Sequence, residues 1–497
     1  MAEPCDFDAL EARRLIGRGA LSPVELLESC IGRIEKLDGA VNAVVTRDFE
    51  RARVQARAAA EAVRRGDELG PLHGLPVGIK DLEEVAGLRT TWGSPIWTNH
   101  VPARDQGIVA RVRAAGGIVA GKTNTAEWGA GANTRNAVFG ATGNPFDPAR
   151  SVAGSSGGSA AALACGMLPL ATGSDMGGSL RNPAAFCGVV GFRPSPGLVP
   201  NERRGLGWSA LSVLGPMART VADVALLLSA IAGDDASDPL ADAIPERCPR
   251  RARRFNPLAP CDLSRLRVAF TPDFGFAPTE AHIRRVFAAR VAEMSGLFAS
   301  LDEASPDCAG TDETFEVLRG VGFLAAHFDD YRQRPDLLGP NVRANVEQAL
   351  GYSGTDIARA SVRQTMLYRN WQRFFERYDL LLSPAITISP RPWRELYPTA
   401  IDGKSTRTYF HWLALAYAAS LVGHPALSLP VGRDEAGMPF GMQIVGPRGG
   451  DAPTLRAALA LEAALAGSAA AARPLPDLEA LAGAPPMASR PGFLGFD

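Results

Sequence analysis

The chain has 497 residues, of which 46% are hydrophobic and 21% are charged, and its formal net charge is −1. This composition is typical of a globular protein with ample apolar material for a core. A net charge near zero disfavours a nucleic-acid partner or an anionic membrane surface, because both require a basic field.

The compartment is predicted from what the sequence lacks. No apolar run is long enough to cross a bilayer, and the first residues carry neither the basic nor the apolar region of a signal peptide. Seven cysteines are scattered without a C-x-x-C pair, which favours reduced thiols over a disulfide framework or a zinc site. We therefore expect a cytoplasmic protein, without membrane attachment and without a metal.

Three segments differ in composition and pattern. Residues 1–70 are predicted to be helical, with a capping box at Ser22 and Glu25. Residues 71–470 form the main domain, with a mainly helical insertion over residues 275–380 beside the site entrance. Residues 471–497 are rich in Ala, Pro and Gly and are predicted to wrap the surface.

A buried strand is predicted over residues 75–79, where Gly and Pro punctuate a short apolar run that ends at Lys80. Lys80 is unusual in this chain because only four of the 52 basic residues are Lys. Since Lys can lose its proton and Arg in practice cannot, a Lys at the end of a buried strand is a candidate base.

Two Gly/Ser loops follow, over residues 151–159 and 174–179. Between them we predict a helix over residues 159–166 and a strand over residues 168–173. A helix that runs out and a strand that returns would bring both loops to one end of a sheet, which is where α/β enzymes place their sites.

Two letter-for-letter motif matches fail in context. Residues 116–123 match the P-loop pattern, but a helix precedes them and the loop positions resemble a strand. Residues 154–158 match the G-x-S-x-G nucleophile elbow, but no apolar strand leads into it and no later His has a recognisable acidic partner. The better constellation is Lys80 with the two loops, because a neutral Lys can serve a Ser nucleophile as its base.

Residues 151–194 strongly resemble the signature block of the amidase signature family. The resemblance continues through Gly74-Leu-Pro-Val-Gly-Ile-Lys-Asp81, Gly121-Lys-Thr-Asn124, the stretch 215–223 and Gly423-His-Pro-Ala426, in family order. It covers about residues 10–470. Because Gly-Lys-Thr-Asn is a common stretch in this family, the resemblance also explains the false P-loop match at residues 116–123.

The resemblance implies a set of site residues, each with its role. The catalytic set is Lys80, Ser155 held by a cis peptide bond, and the nucleophile Ser179. The oxyanion hole is formed by the backbone N–H groups of Met176, Gly177, Gly178 and Ser179, and Ser156, Asp175 and Arg181 support the triad. For the substrate pocket we predict Trp128 and Gly129, together with Leu206 and Trp208 from the loop 201–214.

The sequence departs from the family pattern at three positions. Ala153 stands where Gly is commoner, Met176 where Thr or Ile is commoner, and Ser420 where Asn is frequent. The first two changes reshape the pocket wall slightly. The third puts in doubt any role inferred from that Asn.

The implied fold is a single large α/β domain, a mixed and twisted sheet covered by helices on both faces. The implied activity is hydrolysis of a small amide, carbamate or ester through a Ser acyl-enzyme, without a cofactor, by a monomer or homodimer; some relatives of this kind act as urethanases. Two alternatives stay open. The first is the glutamine-hydrolysing subunit of a tRNA-dependent amidotransferase, which shares the triad, and the second is a catalytically inactive binding protein.

Overall fold

The fold was analysed in a computed structural model, which describes residues 3–241 and 255–495. The α-helices of these residues are, in chain order, α1 (Ala9–Gly17), α2 (Pro23–Val41), α3 (Phe49–Arg65), α4 (Gly107–Ala114), α5 (Gly157–Ala164), α6 (Arg181–Cys187), α7 (Val221–Ile231), α8 (Ala281–Glu293), α9 (Thr311–Gln333), α10 (Pro340–Leu350), α11 (Gly354–Phe375), α12 (Ala414–Leu421), α13 (Asp451–Leu465) and α14 (Leu478–Ala482).

The strands of the described ranges are β1 (Val44–Arg47), β2 (Pro76–Lys80), β3 (Ile118–Thr123), β4 (Arg135–Asn136), β5 (Gly140–Ala141), β6 (Gly143–Asn144), β7 (Asp147–Ser151), β8 (Leu170–Asp175), β9 (Val190–Arg193), β10 (Val213–Ala218), β11 (Arg267–Phe270), β12 (Ser300–Glu303), β13 (Leu380–Pro384), β14 (Ala400–Ile401), β15 (Lys404–Ser405), β16 (Ala426–Arg433) and β17 (Pro439–Val445). Eleven of them form one sheet in the order β1-β3-β2-β8-β10-β9-β16-β17-β13-β11-β12. The pairs of β2 with β3 and β8 are parallel, whereas β10 is antiparallel to β8 and β9. The sheet is therefore mixed, as predicted.

Helices cover both faces of this sheet. Leu170 of β8 belongs to the cluster that packs under α4, α7 and α13, whereas its neighbour Ala171 belongs to the cluster under α2 and α5. Successive side chains of a strand point to opposite faces, so these two clusters lie on opposite sides of the sheet. The predicted fold class is confirmed.

Several predicted elements are present with their local causes. Ser22 caps α2 with Glu25 in a reciprocal capping box, and the Thr220 side chain caps α7 by accepting a hydrogen bond from the Asp223 N–H. Residues 118–123 are the strand β3, which contradicts a P-loop at this position. The insertion is largely helical through α8, α9, α10 and α11.

Two strands differ from the predicted pattern. β1 lies within the segment predicted to be helical and pairs antiparallel with β3, and β12 lies within the helical insertion and pairs parallel with β11. Both are only four residues long, and their half-exposed residues give no clear two-residue alternation. Near the chain end, Leu481 and Met487 are buried, so the predicted surface tail is partly anchored.

Two further features of the described residues bear on location and chemistry. No helix among them is both long enough and apolar enough to cross a membrane. Cys5, Cys30, Cys165, Cys187, Cys261 and Cys308 are free thiols, and Cys248 lies outside the described ranges.

Candidate active site

A buried lysine lies at the centre of the site. The Lys80 ammonium nitrogen Nζ, at the end of β2, donates to the hydroxyls of Ser155 at 2.8 Å, Ser156 at 2.8 Å and Ser174 at 2.9 Å. Its side chain is completely buried. The three hydroxyls come from the two Gly/Ser loops, so the predicted meeting of both loops with Lys80 is present.

The sheet topology brings these residues together. β2 and β8 are parallel neighbours, with Val77 opposite Leu170 and Gly78 opposite Ala171. Their carboxyl ends therefore lie at the same edge, and α5, which precedes β8, begins at that edge too. Gly173 permits the close approach, because a Cβ at this position would lie only 2.9 Å from Ser156 Oγ.

Burial sets the protonation of Lys80. Loss of water lowers its pKa from 10.5 to about 7, against the opposing effect of the Glu83 and Asp175 carboxylates, which favour the charged form. Glu83 is itself fully buried, which raises its pKa, and it accepts a hydrogen bond from Thr172. The carboxyl groups around Lys80 therefore do not prevent it from becoming neutral near pH 7.

Asp81 is directed away from Lys80 and toward Lys122. The Lys122 ammonium lies 3.6 Å from an Asp81 oxygen, and both side chains are buried. Thr91 donates to the same carboxylate through its N–H at 3.1 Å and its hydroxyl at 2.6 Å. The adjacent acid thus has its own cation.

The loop that carries Ser155 has an unusual backbone. The Gly154–Ser155 peptide bond is cis, and Ala153 has a φ of 57°. That left-handed conformation suits glycine, which explains why Gly is the commoner residue there. The Thr134 hydroxyl bridges the loop, donating to the Ala153 carbonyl at 2.9 Å and accepting from the Gly157 N–H at 3.0 Å.

Ser179, the predicted nucleophile, lies on the second loop and is half-buried. Its backbone carbonyl accepts a hydrogen bond from the Ser156 N–H at 3.2 Å, which ties the two loops together. Within the described residues its hydroxyl has no hydrogen-bond partner, so the structure does not link it to Ser155.

The predicted oxyanion donors differ in their availability. The Gly178 N–H donates to Asp175 Oδ1 at 2.9 Å, which occupies it. The N–H groups of Met176, Gly177 and Ser179 have no acceptor among the described residues. Of the four N–H groups predicted for the oxyanion hole, that of Gly178 is therefore paired with Asp175, because the turn after β8 directs it inward.

Asp175 and Arg181 fix this turn. The Arg181 guanidinium binds both carboxylate oxygens, at 2.9 and 3.0 Å, and Arg193 lies 3.3 Å away. Although burial alone would raise it, these two cations hold the pKa of Asp175 well below its usual range. Ser420 accepts from Arg181 at 2.7 Å and so belongs to the same support.

A cavity of about 450 Å³ opens beside Ser174 and Met176. Its walls come from the stretch 82–128, the loop 201–214 and helix α9, with Trp92, Trp128, Leu206, Leu318, Phe323 and His327 among the lining residues. Trp128 and Leu206, two of the four residues predicted for the substrate pocket, line this cavity.

The other two predicted pocket residues do not line this cavity. Trp208 is 82% exposed and lines a neighbouring cavity of about 420 Å³, because its loop turns its side chain outward toward α11. Gly129 lies behind the site. A Cβ there would come within 3.3 Å of Ser155 Oγ, so the absence of a side chain gives this hydroxyl room.

An aromatic wall bounds the cavity on the side of Trp128. The Trp92 and Trp128 rings stack 5.1 Å apart at 10°, and the Trp92 carbonyl accepts from the Trp128 N–H at 2.8 Å. Both residues have positive φ values, 54° and 51°. Since such a backbone costs a bulky residue about 1–2 kcal/mol, the surrounding structure holds the two rings in place.

Sequence reasoning missed Ser174, Glu83 and His327. Ser174 was part of the predicted loop, and its place opposite the strand that bears Lys80 was the available signal. Glu83 and His327 lay in unremarkable stretches, and only the packing shows their proximity to the site. Across the described ranges, no group of His, Cys, Asp and Glu has the arrangement of a metal site.

Comparisons with known proteins agree with this geometry. The family model "Amidase" matches residues 25–455. An acylamidase of Rhodococcus erythropolis is 34% identical over 92% of this chain and 95% of its own, and a glutamyl-tRNA(Gln) amidotransferase subunit of Thermus thermophilus is 38% identical over 92% and 97%. The crystal structure of a bacterial aryl acylamidase of the amidase signature family superposes with a TM-score of 0.85, at 27% identity over 98% of this chain and 99% of that one. With its family motifs in order along one mixed sheet and a match over most of its length, the chain belongs to the amidase signature family of hydrolases.

Proposed function

We propose that the protein hydrolyses the C–N bond of small amides through an acyl-enzyme on Ser179. The observation that supports this most is the fully buried Lys80, whose Nζ lies 2.8 Å from Ser155 Oγ and whose pKa burial lowers to about 7. A base that is neutral near pH 7 and already bonded to a hydroxyl fits proton removal.

The proposed chemistry conserves every proton. Neutral Lys80 takes the Ser155 proton while Ser155 takes that of Ser179, whose oxygen attacks the carbonyl carbon. The N–H groups of Met176, Gly177 and Ser179 stabilise the oxyanion. As the C–N bond breaks, the Lys80 proton returns through Ser155 to the leaving nitrogen. Water then attacks the ester by the same relay and releases the acid and Ser179.

This relay requires a hydrogen bond between Ser179 and Ser155 when substrate is bound. The free Ser179 hydroxyl in the structure is compatible with that requirement, since catalytic hydrogen bonds often tighten only in the substrate complex.

For the substrate we propose an aryl amide. The aromatic wall at Trp92 and Trp128 supports a flat group, and so does the likeness to an aryl acylamidase. Carbamates and esters present the same carbonyl to Ser179, so urethane cleavage is a further activity to assay with the same enzyme.

The second candidate is the glutamine-hydrolysing subunit, which the 38% identity to the Thermus thermophilus protein favours. Glutamine is a zwitterion and needs an unpaired carboxylate and an unpaired cation in the pocket. Here Arg203 pairs with Glu84, and Arg204 lies 3.4 Å from Asp238. These paired charges favour an uncharged substrate. A cytoplasmic enzyme that acts as a monomer or homodimer remains part of the proposal from the sequence.

Covalent labelling with a fluorophosphonate tests the proposal. Ser179→Ala should lose the label and at least about ten-thousand-fold in turnover, the scale of removing a triad member. Ser361→Ala, on an exposed face of α11, is the matched control and should behave as the wild type. Retained turnover in Ser179→Ala would overturn the assignment, and glutamine hydrolysis that exceeds anilide hydrolysis would favour the second candidate.

A further inference from the structure

Arg319 of helix α9 is a buried cation without a counter-ion. Its side chain is only 4% exposed and forms no ion pair with any carboxylate of the described residues. The acidic side chains in the first turns of α9, which are Asp312, Glu313 and Glu316, pair with Arg407 instead. Since an unpaired buried charge is costly, other interactions or a function must offset that cost.

Aromatic rings surround the Arg319 guanidinium. Its carbon Cζ lies 4.7 Å from the ring centroid of Phe323, 5.2 Å from that of Phe410 and 5.4 Å from that of Tyr409. Nη2 donates to the Tyr409 hydroxyl at 2.5 Å, and Nε is buried without a hydrogen-bond partner among the described residues. The ring faces offset part of the cost of burial, but they carry no net charge and leave the positive charge uncompensated.

Arg319 lies directly behind the turn that follows β8. Its Nη1 donates to Met176 Sδ at 3.3 Å, and a Cβ on Gly177 would come within 3.2 Å of Phe315 Cζ, one turn earlier on α9. Helix α9 therefore packs against two of the residues whose N–H groups are predicted to bind the oxyanion. Arg319 does not line the cavity, so it acts on the turn and does not touch the substrate.

The charges around this turn do not balance. Asp175 already binds two buried cations, Arg181 at 2.9 Å and Arg193 at 3.3 Å, so it does not neutralise a third. Three buried arginines and one carboxylate sum to two positive charges. Because these side chains are shielded from water, their field acts on the turn with little screening.

We propose that Arg319 is a positioning residue that holds Met176 against α9 and supplies positive charge to the oxyanion at the N–H groups of Met176, Gly177 and Ser179. This inference rests on the proposed amide hydrolysis. The carbonyl of the bound substrate is neutral and gains little from the charge, whereas the tetrahedral intermediate carries a negative charge on oxygen. Met176 stands where Thr or Ile is commoner in the family, and neither is as long, so the contact depends on this chain's own departure from the pattern.

The test compares a neutral ligand with one that becomes an anion on the enzyme. Ser179 Oγ adds to the carbonyl carbon of trifluoroacetophenone, the π electrons move to the carbonyl oxygen, and the Ser179 proton passes through Ser155 to Lys80; no group leaves. Formation of this adduct is followed by fluorine NMR at pH 7.5. Binding of neutral acetanilide is measured by calorimetry in the Ser179→Ala background, where no hydrolysis interferes.

Arg319→Met removes the charge and places a flexible apolar side chain among the rings, so we expect it to fold. Its adduct affinity and its kcat/KM should fall about tenfold, the scale of the attraction between unit charges about 10 Å apart at an effective dielectric constant of about 20. Acetanilide binding should change less than about twofold, because the ground state is neutral. Arg319→Lys keeps the charge and should stay within about threefold of the wild type.

Arg332→Met is the matched control, since it makes the same change on the same helix at an exposed arginine that also lies over a ring, that of Phe328. It should behave as the wild type. If Arg319→Met does not fold, Arg319→Gln provides the uncharged comparison with a side chain that can still bind the Tyr409 hydroxyl.

Equal losses in adduct affinity and acetanilide binding would indicate a structural role alone and overturn the proposal. An unchanged adduct affinity in a folded uncharged variant would do the same, as would a loss in Arg319→Lys as large as that in Arg319→Met. An adduct that forms equally well on Ser179→Ala would instead refute the proposed function.

Discussion

The pH dependence of the reaction should follow the protonation of Lys80. With a pKa of about 7 instead of 10.5, the neutral fraction at pH 7 rises from roughly one in three thousand to about one half. At pH 6 about a tenth of the molecules would hold a neutral Lys80, and at pH 8 about nine tenths. We expect kcat/KM to rise about tenfold over this range, measured with a neutral anilide that does not titrate there.

Replacing Lys80 separates its proton from its charge. Lys80→Arg keeps a cation that cannot deprotonate, so it should be nearly as inactive as Lys80→Ala. A kcat/KM that stays flat between pH 6 and pH 8, or a Lys80→Arg enzyme with more than about a tenth of normal turnover, would refute the role of Lys80 as base.

The same burial should appear in the free energy of unfolding. Lys80 is protonated below pH 10.5 in the unfolded chain but only below about pH 7 in the folded protein. Burying Lys80 therefore lowers the free energy of unfolding by almost the full amount at pH 7, and this cost disappears as the pH rises toward 10.5. A tenfold change in ionisation is worth about 1.4 kcal/mol, which gives roughly 5 kcal/mol in full. The variant Lys80→Met would avoid this cost, but it also loses the three hydrogen bonds of Lys80, which offsets about 3 kcal/mol of the increase in stability.

We therefore expect Lys80→Met to be about 2 kcal/mol more stable than the wild type in urea at pH 7. This advantage should fall by roughly 2–3 kcal/mol by pH 9, because unfolding of the wild type requires Lys80 to take up a proton, and this uptake becomes less favourable as the pH rises. An advantage that does not change with pH would show that Lys80 remains charged when folded.

Four other substitutions test separate features of the structure. Ser174→Ala removes a hydroxyl 2.9 Å from Lys80 and should lower kcat about tenfold at constant KM; an unchanged kcat would leave Ser174 without a role. Leu206→Ala should raise KM for anilides about threefold or more, and Trp208→Ala less than about twofold, because only Leu206 lines the cavity beside Ser174; the reverse order would place the substrate in the neighbouring cavity. Burial raises the pKa of Glu127 from 4.5 to about 7, so the folded state loses stability as the pH rises through 7. Between pH 5 and pH 8, urea unfolding should show the wild type losing about 2–3 kcal/mol more than Glu127→Gln, and parallel curves would refute this.

The parts of the site that depend on strand ends could be predicted from the sequence. Lys80 ends a short apolar run, the second Gly/Ser loop follows the neighbouring strand, and parallel pairing of the two strands brings both to one edge. The hairpin of β16 and β17 and the capped helix α2 follow from patterns within a few residues of one another. Local signals of this kind survive folding because they do not depend on distant packing.

The residues that sequence reasoning missed depend on contacts between distant segments. His327 meets Trp128 across almost two hundred positions, and no periodicity within α9 distinguishes it from an ordinary buried histidine. Trp208 illustrates the converse, since its place in a site-forming loop predicted a pocket contact, but the direction of its side chain depends on α11. Gly178 was assigned by motif, and the Asp175 carboxylate that binds its N–H became visible only in the folded turn.

The site residues at the sheet edge and the cavity-lining residues of helix α9 come from separate parts of the chain, which bears on how the substrate specificity of such an enzyme can change. Lys80 and the Gly/Ser loops lie at the edge of the central strands, whereas His327, Phe323 and Leu318 reach the cavity from a helix in a separate stretch of chain. Mutations in that helix can alter which molecules enter without displacing the atoms that carry out the reaction. A duplicated gene could thus acquire a new substrate specificity through a few substitutions in one helix, while its catalytic residues stay unchanged.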